Sequence, residues 1–264
     1  LFAGHRNREG LVAPCVFPDT PPYVDQWIYL DYSLCFGLCL EDYREHTGDE
    51  TLPRELYAVA QRQVEYAAER FDRATGRIEA PFFIDHGTYD RSVAALGYFA
   101  YVLRRMRRLA AALEQPTEWL AALTDEVDGA LLRCRDPKTG LFLTADGELS
   151  WQSQVWAALS GALEREQAQT LLRETARVDP PVRMSSPFMT HYYLEALCAC
   201  GMEEQAMAVI REYWGAILEA GFDCCPECFD VTNDRVTPYS APVLNSACHA
   251  WSCTPSYFLR KGLV

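Results

Sequence analysis

No apolar run in this 264-residue chain approaches the ~18 residues that a helical membrane span requires, so no membrane partner is expected. Basic residues are scarce. Lys and Arg number 24 against 37 Asp and Glu, giving a formal net charge of −13 and a pI near 4.8. Binding to nucleic acid is driven by Lys and Arg on phosphates, so no nucleic-acid partner is expected. No charged segment leading into a short apolar stretch marks a signal peptide, and no initiator Met is present. The chain opens Leu1-Phe2-Ala3, which reads as the interior of a longer frame, with an N-terminal part of the same chain missing. There is no period of roughly 34 or 40 residues, which argues against simple helical repeats. No Asp-Asp pair exists to hold a magnesium–diphosphate group, as a terpene-cyclase-like toroid would need. The CxxC of Cys225 and Cys228 has no second ligand pair at zinc-finger spacing, so neither metal nor cofactor is expected.

What is present suits a sizeable core. Hydrophobic residues make up 49% of the chain and charged ones 23%. A chain of this length buries roughly three quarters of its unfolded surface. Cysteines number eleven, an odd count. Cys35, Cys39, Cys134, Cys198, Cys200, Cys248 and Cys253 fall within apolar helical patterns, where free Cys acts as a small hydrophobe. That usage fits a reducing, cytoplasmic setting.

Helical periodicity dominates. It predicts a helix from Tyr23 to His46 stopped by Gly48, and a second opening at Pro53 and burying Leu56, Val59, Val64 and Phe71. A third spans Arg91 to Leu113 on the stripe Leu96, Phe99, Leu103, Met106, Ala110 and Leu113. Arg104, Arg105, Arg107 and Arg108 lie off that stripe and read as a solvated face. Thr117 is expected to cap the next helix, Ser150 another through Leu159, and Ser186-Pro187 a third. Further helices are expected from Glu164, from Glu203 to Ala220, and from about Asn245 to Lys261. A strand is expected at Phe82–Ile84, and a hairpin around Asp146-Gly147. About nine helices with short and long links in turn make an all-α toroid or solenoid the expected fold.

The stretch Gly221–Tyr257 concentrates the chemistry-bearing residues. Glu227 sits in a Cys- and aromatic-rich loop after a helix, and His249 and Trp251 follow a Pro-rich link. Asp85, His86 and Tyr89 occupy another loop just before a helix. Loops between helices are where acids, imidazoles and aromatics build sites, and aromatic faces suit the C–H faces of a sugar. Each residue has a plainer reading too: Glu227 as a solvated acid, His249 as a helix-start residue, Asp85 as a cap, Trp27 and Trp151 as core.

Several segments resemble glycoside hydrolase family 78, the α-L-rhamnosidases. They are Tyr213-Trp214-Gly215, the loop with Pro226-Glu227, and His249-Ala250-Trp251-Ser252 through Thr254–Leu259. Leu30–Leu34, Phe83-Ile84-Asp85, Ser153–Trp156, Pro187–Tyr192 and Glu195-Ala196-Leu197 also look like family segments in the family's order. The resemblance implies an (α/α)6 barrel, here a partial one of about nine helices, with residues 1–264 forming part of the catalytic domain. It implies inverting hydrolysis of terminal α-L-rhamnosides or a related deoxysugar, with Glu227 as general base. The general acid belongs to a motif N-terminal to Leu1. His249 would bind a sugar hydroxyl, and Trp27, Trp151, Trp251, Asp85, His86 and Tyr89 would line the substrate site. His86 stands where the family commonly has Trp, exchanging a stacking surface for a hydrogen-bonding one. Two other classes stay open: a non-catalytic carbohydrate binder and a helical interaction scaffold.

Overall fold

A computed structural model describes residues 1–17, 19, 28–230, 236–237 and 246–262. The expectation of an all-α fold holds: nine α-helices carry nearly all the regular structure among these residues. They fall into two compact units.

The first unit comprises Leu1–Phe83, Arg91–Arg135 and Ser160–Ala162. It contains α1 (Leu30–Thr47), α2 (Thr51–Glu69), α3 (Ser92–Ala112) and α4 (Glu118–Arg133). Helix α3 packs against both α1 and α4. It is therefore buried on more than the one stripe its periodicity marks, with every residue from Val93 to Ala100 inside. Gly37 of α1 lets α3 come close, since a Cβ there would lie 2.5 Å from the Met106 sulfur. Met106 is itself fully buried and has little room to move. Gly37→Ala is therefore expected to lower unfolding stability by roughly 1–3 kcal/mol in a urea titration. Gly48 ends α1 with φ 71°, as expected of a glycine stop.

Three readings of this unit are corrected. The arginine run of α3 is a solvated face only in part: Arg107 and Arg108 are exposed, but the run also serves buried and half-buried acids. Glu41 of α1 is fully buried, and Arg105 and Arg108 converge on its two carboxylate oxygens. Arg104 pairs with Asp128 and also donates to the Gly161 carbonyl. A buried carboxylate needs charged donors, and long arginines reach one from off the stripe. The strand at Phe82–Ile84 does not form either. The Phe83 N–H is taken by the Asp31 side chain (3.0 Å) and its carbonyl by Arg91 (2.7 Å), so no ladder is needed. The two-stranded sheet lies instead at Phe71–Asp72 (β1) and Arg77–Ile78 (β2), antiparallel. Thr117 precedes α4 but makes no side-chain cap, and the Glu118 carboxylate accepts the Thr117 N–H (3.0 Å). The part of the first helix predicted before Leu30, including Trp27, falls largely on residues 20–27, outside the described residues.

The second unit comprises Ile84–Asp90, Asp136–Leu159 and Leu163–Val264. It contains α5 (Trp151–Leu159), α6 (Arg165–Val178), α7 (Pro187–Ala199), α8 (Glu203–Glu219) and α9 (Thr254–Arg260). Helix α7 packs against α5, α6, α8 and α9. Its start is as expected: Pro187 occupies the first turn and the Ser186 hydroxyl accepts the Met189 N–H (3.2 Å). Ser150 likewise accepts the Ser153 N–H at the start of α5 (3.2 Å). The Asp146-Gly147 turn closes with Gly147 at φ 80°, but no strands extend from it. The last helix is shorter than expected. His249 is extended, a 3-10 turn covers Ala250–Ser252, and α9 begins only at Thr254 with Pro255 in its first turn.

Candidate active site

The second unit joins the two chemistry-bearing segments of the Gly221–Tyr257 stretch. The Glu227 N–H donates to the Ser246 carbonyl (2.8 Å) and the His249 N–H to the Cys225 carbonyl (2.8 Å). The Ser252 hydroxyl donates to the Pro226 carbonyl (2.5 Å), and the Trp251 indole N–H to the Glu227 carbonyl (2.8 Å). Helix α8 anchors both segments through neighbouring aromatics. Tyr213 donates its hydroxyl to the Phe229 carbonyl (2.8 Å), and Trp214 its indole N–H to the Ser252 carbonyl (2.9 Å). Tyr-Trp at adjacent helical positions thus holds two segments that are more than twenty residues apart.

Glu227 is inside, at 5% exposure, not on the surface of its loop. Cys228 beside it is also buried, and its thiol is pushed up to about 12, by burial first and then by the charges of Asp85 and Glu227. Burial also raises the Tyr213 phenol, with Asp85, Cys228 and Asp230 adding to it. Two carboxylates thus share one poorly hydrated region of this unit.

Trp251 is the hub of the ring contacts. Its centroid lies 4.3 Å from that of His249 at 36°, 5.3 Å from Phe188 at 30°, and 5.9 Å from His86 edge-on at 69°. The His249 Nδ1 accepts the Trp251 N–H (3.4 Å), which orients the imidazole by its own chain. Glu227, His249, Trp251 and His86, four of the residues singled out in the sequence, therefore come together.

Asp85 stands behind this cluster and is fully buried. Its Oδ1 accepts from the His86 N–H (2.9 Å), the Ser185 hydroxyl (3.0 Å) and the Ser186 hydroxyl (2.6 Å). Its Oδ2 accepts from the Ser185 N–H (2.8 Å) and the Gln152 amide (3.0 Å). Burial nevertheless holds the Asp85 carboxyl above its ordinary value, against the lowering effect of these donors. Asp85 is not a helix cap: Arg91 occupies the position before α3. Its carboxylate ties the His86 segment to the start of α7, and the Ser185 hydroxyl also reaches the His86 carbonyl (3.3 Å).

Trp151 takes other partners, donating its indole N–H to Asp179 (3.1 Å) and meeting Tyr193 edge-on at 5.3 Å. Tyr89 is buried in the same loop as His86. Phe188, Gln152 and Ser185 join this arrangement without being among the residues the sequence singles out. A single signal for Phe188 exists, its place directly after the Ser-Pro helix start. Gln152 and Ser185 carry none, because their role depends on a carboxylate 67 and 100 residues away. Among the described residues no group of three or more His, Cys, Asp or Glu side chains converges to hold a metal ion.

No protein-family model matches the sequence, and no curated protein matches it. Solved structures do. A rhamnosidase from Klebsiella oxytoca with rhamnose bound superposes with a TM-score of 0.90 at 34% identity, over 98% of this chain and 52% of that one. The chain has the fold of the family 78 α-L-rhamnosidases. The family 78 rhamnosidase of Bacillus sp. GL1 matches with a TM-score of 0.76 at 25% identity, over 89% of this chain and 26% of that one. The family 63 mannosylglycerate hydrolase of Thermus thermophilus, at 11% identity and a TM-score of 0.70, shares the fold alone. This rhamnosidase-like chain therefore has the six-hairpin glycosidase architecture, and it spans about half the length of the Klebsiella oxytoca protein, 52%.

Proposed function

We propose that this chain is part of a catalytic domain, residues 1–264 falling within it, that hydrolyses terminal α-L-rhamnosides or a related deoxysugar with inversion. Glu227 is its general base, deprotonating the water that attacks the anomeric carbon. The observation that carries the reading is the burial of Glu227 at 5% exposure in a segment bonded to Trp251, amid imidazole and aromatic rings. Trp251 and Phe188 offer faces for the apolar side of a pyranose, while His249 and His86 offer ring nitrogens to its hydroxyls. The family resemblance implies a second carboxylate as general acid. In an inverting pair it stands roughly 6.5–9.5 Å from the base, leaving room for the water. Trp151 and Tyr89 are proposed to complete the lining, and Asp85 to hold it in place. The proposed reaction invokes no cofactor, and a cytoplasmic setting is proposed with it, in keeping with the abundance of thiols.

The test is hydrolysis of p-nitrophenyl α-L-rhamnopyranoside by the protein containing this chain, with the first-formed anomer read by NMR. Turnover giving β-L-rhamnose first is expected. The α-anomer appearing first would refute inversion, and no turnover of any α-L-deoxyglycoside would refute the hydrolase. A scaffold without turnover is the second reading, favoured by the mutual packing of Trp251 with His249, Phe188 and His86. It requires that rhamnose leave the tryptophan fluorescence unchanged.

A further inference from the structure

Four cysteines flank the residues just described. Cys224 and Cys225 lie on the Glu227 loop, and Cys248 and Cys253 on the segment carrying His249 and Trp251. The bonds between the two segments set their register. The Glu227 N–H on the Ser246 carbonyl and the His249 N–H on the Cys225 carbonyl run the two segments antiparallel, and the Ser252 hydroxyl on the Pro226 carbonyl brings the neighbours Cys225 and Cys253 alongside. Within this arrangement the Cys224 side chain faces that of Cys248, and the Cys225 side chain faces that of Cys253. Cys224, Cys248 and Cys253 are exposed and Cys225 is half-buried, so a reagent in solvent can reach them.

We infer that these cysteines form a double thiol–disulfide modification site, pairing Cys224 with Cys248 and Cys225 with Cys253, whose co-substrate is a low-molecular-weight disulfide such as oxidised glutathione. In each pair one sulfur, as thiolate, attacks the small disulfide, expels one small thiol and forms a mixed disulfide. The facing sulfur then displaces the second small thiol and closes the protein S–S bond. The pair gives up two protons and two electrons, and the reagent's S–S bond takes them up to become two thiols. Neither loop thiol is a resident nucleophile. The Cys248 side chain, with Asp223 adding, raises Cys224, and burial raises Cys225. Exchange is accordingly slow at neutral pH. Once closed, the bonds covalently join the loop bearing Glu227 to the segment bearing His249 and Trp251, to which hydrogen bonds tie it in the reduced protein. The inference stands on the placement of sulfur and does not require the glycosidase reading.

The experiment incubates the protein with oxidised glutathione, alkylates the remaining thiols, digests it and maps cross-linked peptides by mass spectrometry. Four of the eleven thiols are expected to become unreactive, and dithiothreitol is expected to restore them. Cys224→Ser should remove only the bond to Cys248, and Cys225→Ser only the bond to Cys253. Glutathione adducts on single cysteines without cross-links, or cross-links in any other pairing, would overturn it. Because the readout is sulfur chemistry, an enzyme that fails to hydrolyse rhamnosides still decides the question.

Discussion

Glu227→Gln is expected to lower kcat on an α-L-rhamnoside by about 10²–10⁴-fold, the range that a positioned general base contributes, with KM changed little. The reason is chemical, since the two side chains have the same shape. Gln cannot accept the proton that water must lose as it attacks. Folding should survive, because two of the bonds that fix the residue run through its backbone. Its N–H goes to Ser246 and its carbonyl accepts from Trp251, and Gln keeps both. Steady-state kinetics alongside a thermal melt separates the two effects. A variant turning over at the wild-type rate would move the base elsewhere, and one that melts far below the wild type would make Glu227 a structural acid.

Asp85→Ala should have the second large effect, this time on stability. The substitution strips the acceptor from the N–H groups of His86 and Ser185 and from the Gln152 amide, and from two hydroxyls. Hydroxyls can turn to other partners, but buried N–H groups cannot, and each costs ~1–3 kcal/mol when left unsatisfied. A loss of about 3–5 kcal/mol in a urea titration is the expected outcome, with a loss under about 1 kcal/mol counting against the assignment. Asp85→Asn keeps one acceptor oxygen and should lose less. Its pH dependence has a definite sign. Burial holds the folded Asp85 carboxyl above its ordinary 3.8, so the protonated form is the one the fold favours. The stability this group supplies is full below 3.8 and is lost as pH rises through the folded value. Asn does not titrate there, so the gap between wild type and Asp85→Asn should narrow as pH rises across that window.

Helices were legible because their signals are local. Ser186-Pro187, Ser150 and Gly48 each act within four residues of where they stand, and each does in the structure what its type predicts. Phe82–Ile84 failed for the opposite reason. An apolar run is consistent with a strand, but whether a strand forms depends on what takes its backbone groups, and here Asp31 and Arg91 take those of Phe83. The arginines of α3 failed in the same way. Periodicity says which side of the helix they occupy and is silent about a buried Glu41 reached from that side. At the site, Glu227, His249 and Trp251 stood out as an acid, an imidazole and an indole gathered in one irregular stretch. Ser185 and Gln152 did not, since nothing about either residue names Asp85 as its partner.

Composition and periodicity alone determined that this protein is helical and acidic, without an apolar helix long enough to cross a membrane, and which stretch carries its reactive side chains. These properties are sums over residues or patterns within a few turns. Tertiary structure alone decided that Glu227 is buried, that Trp251 gathers His249, His86 and Phe188 around it, and that Asp85 braces the loop from behind. Burial and hydrogen-bond satisfaction belong to pairs of groups far apart in the chain, and they take a value only once the helices between them have packed.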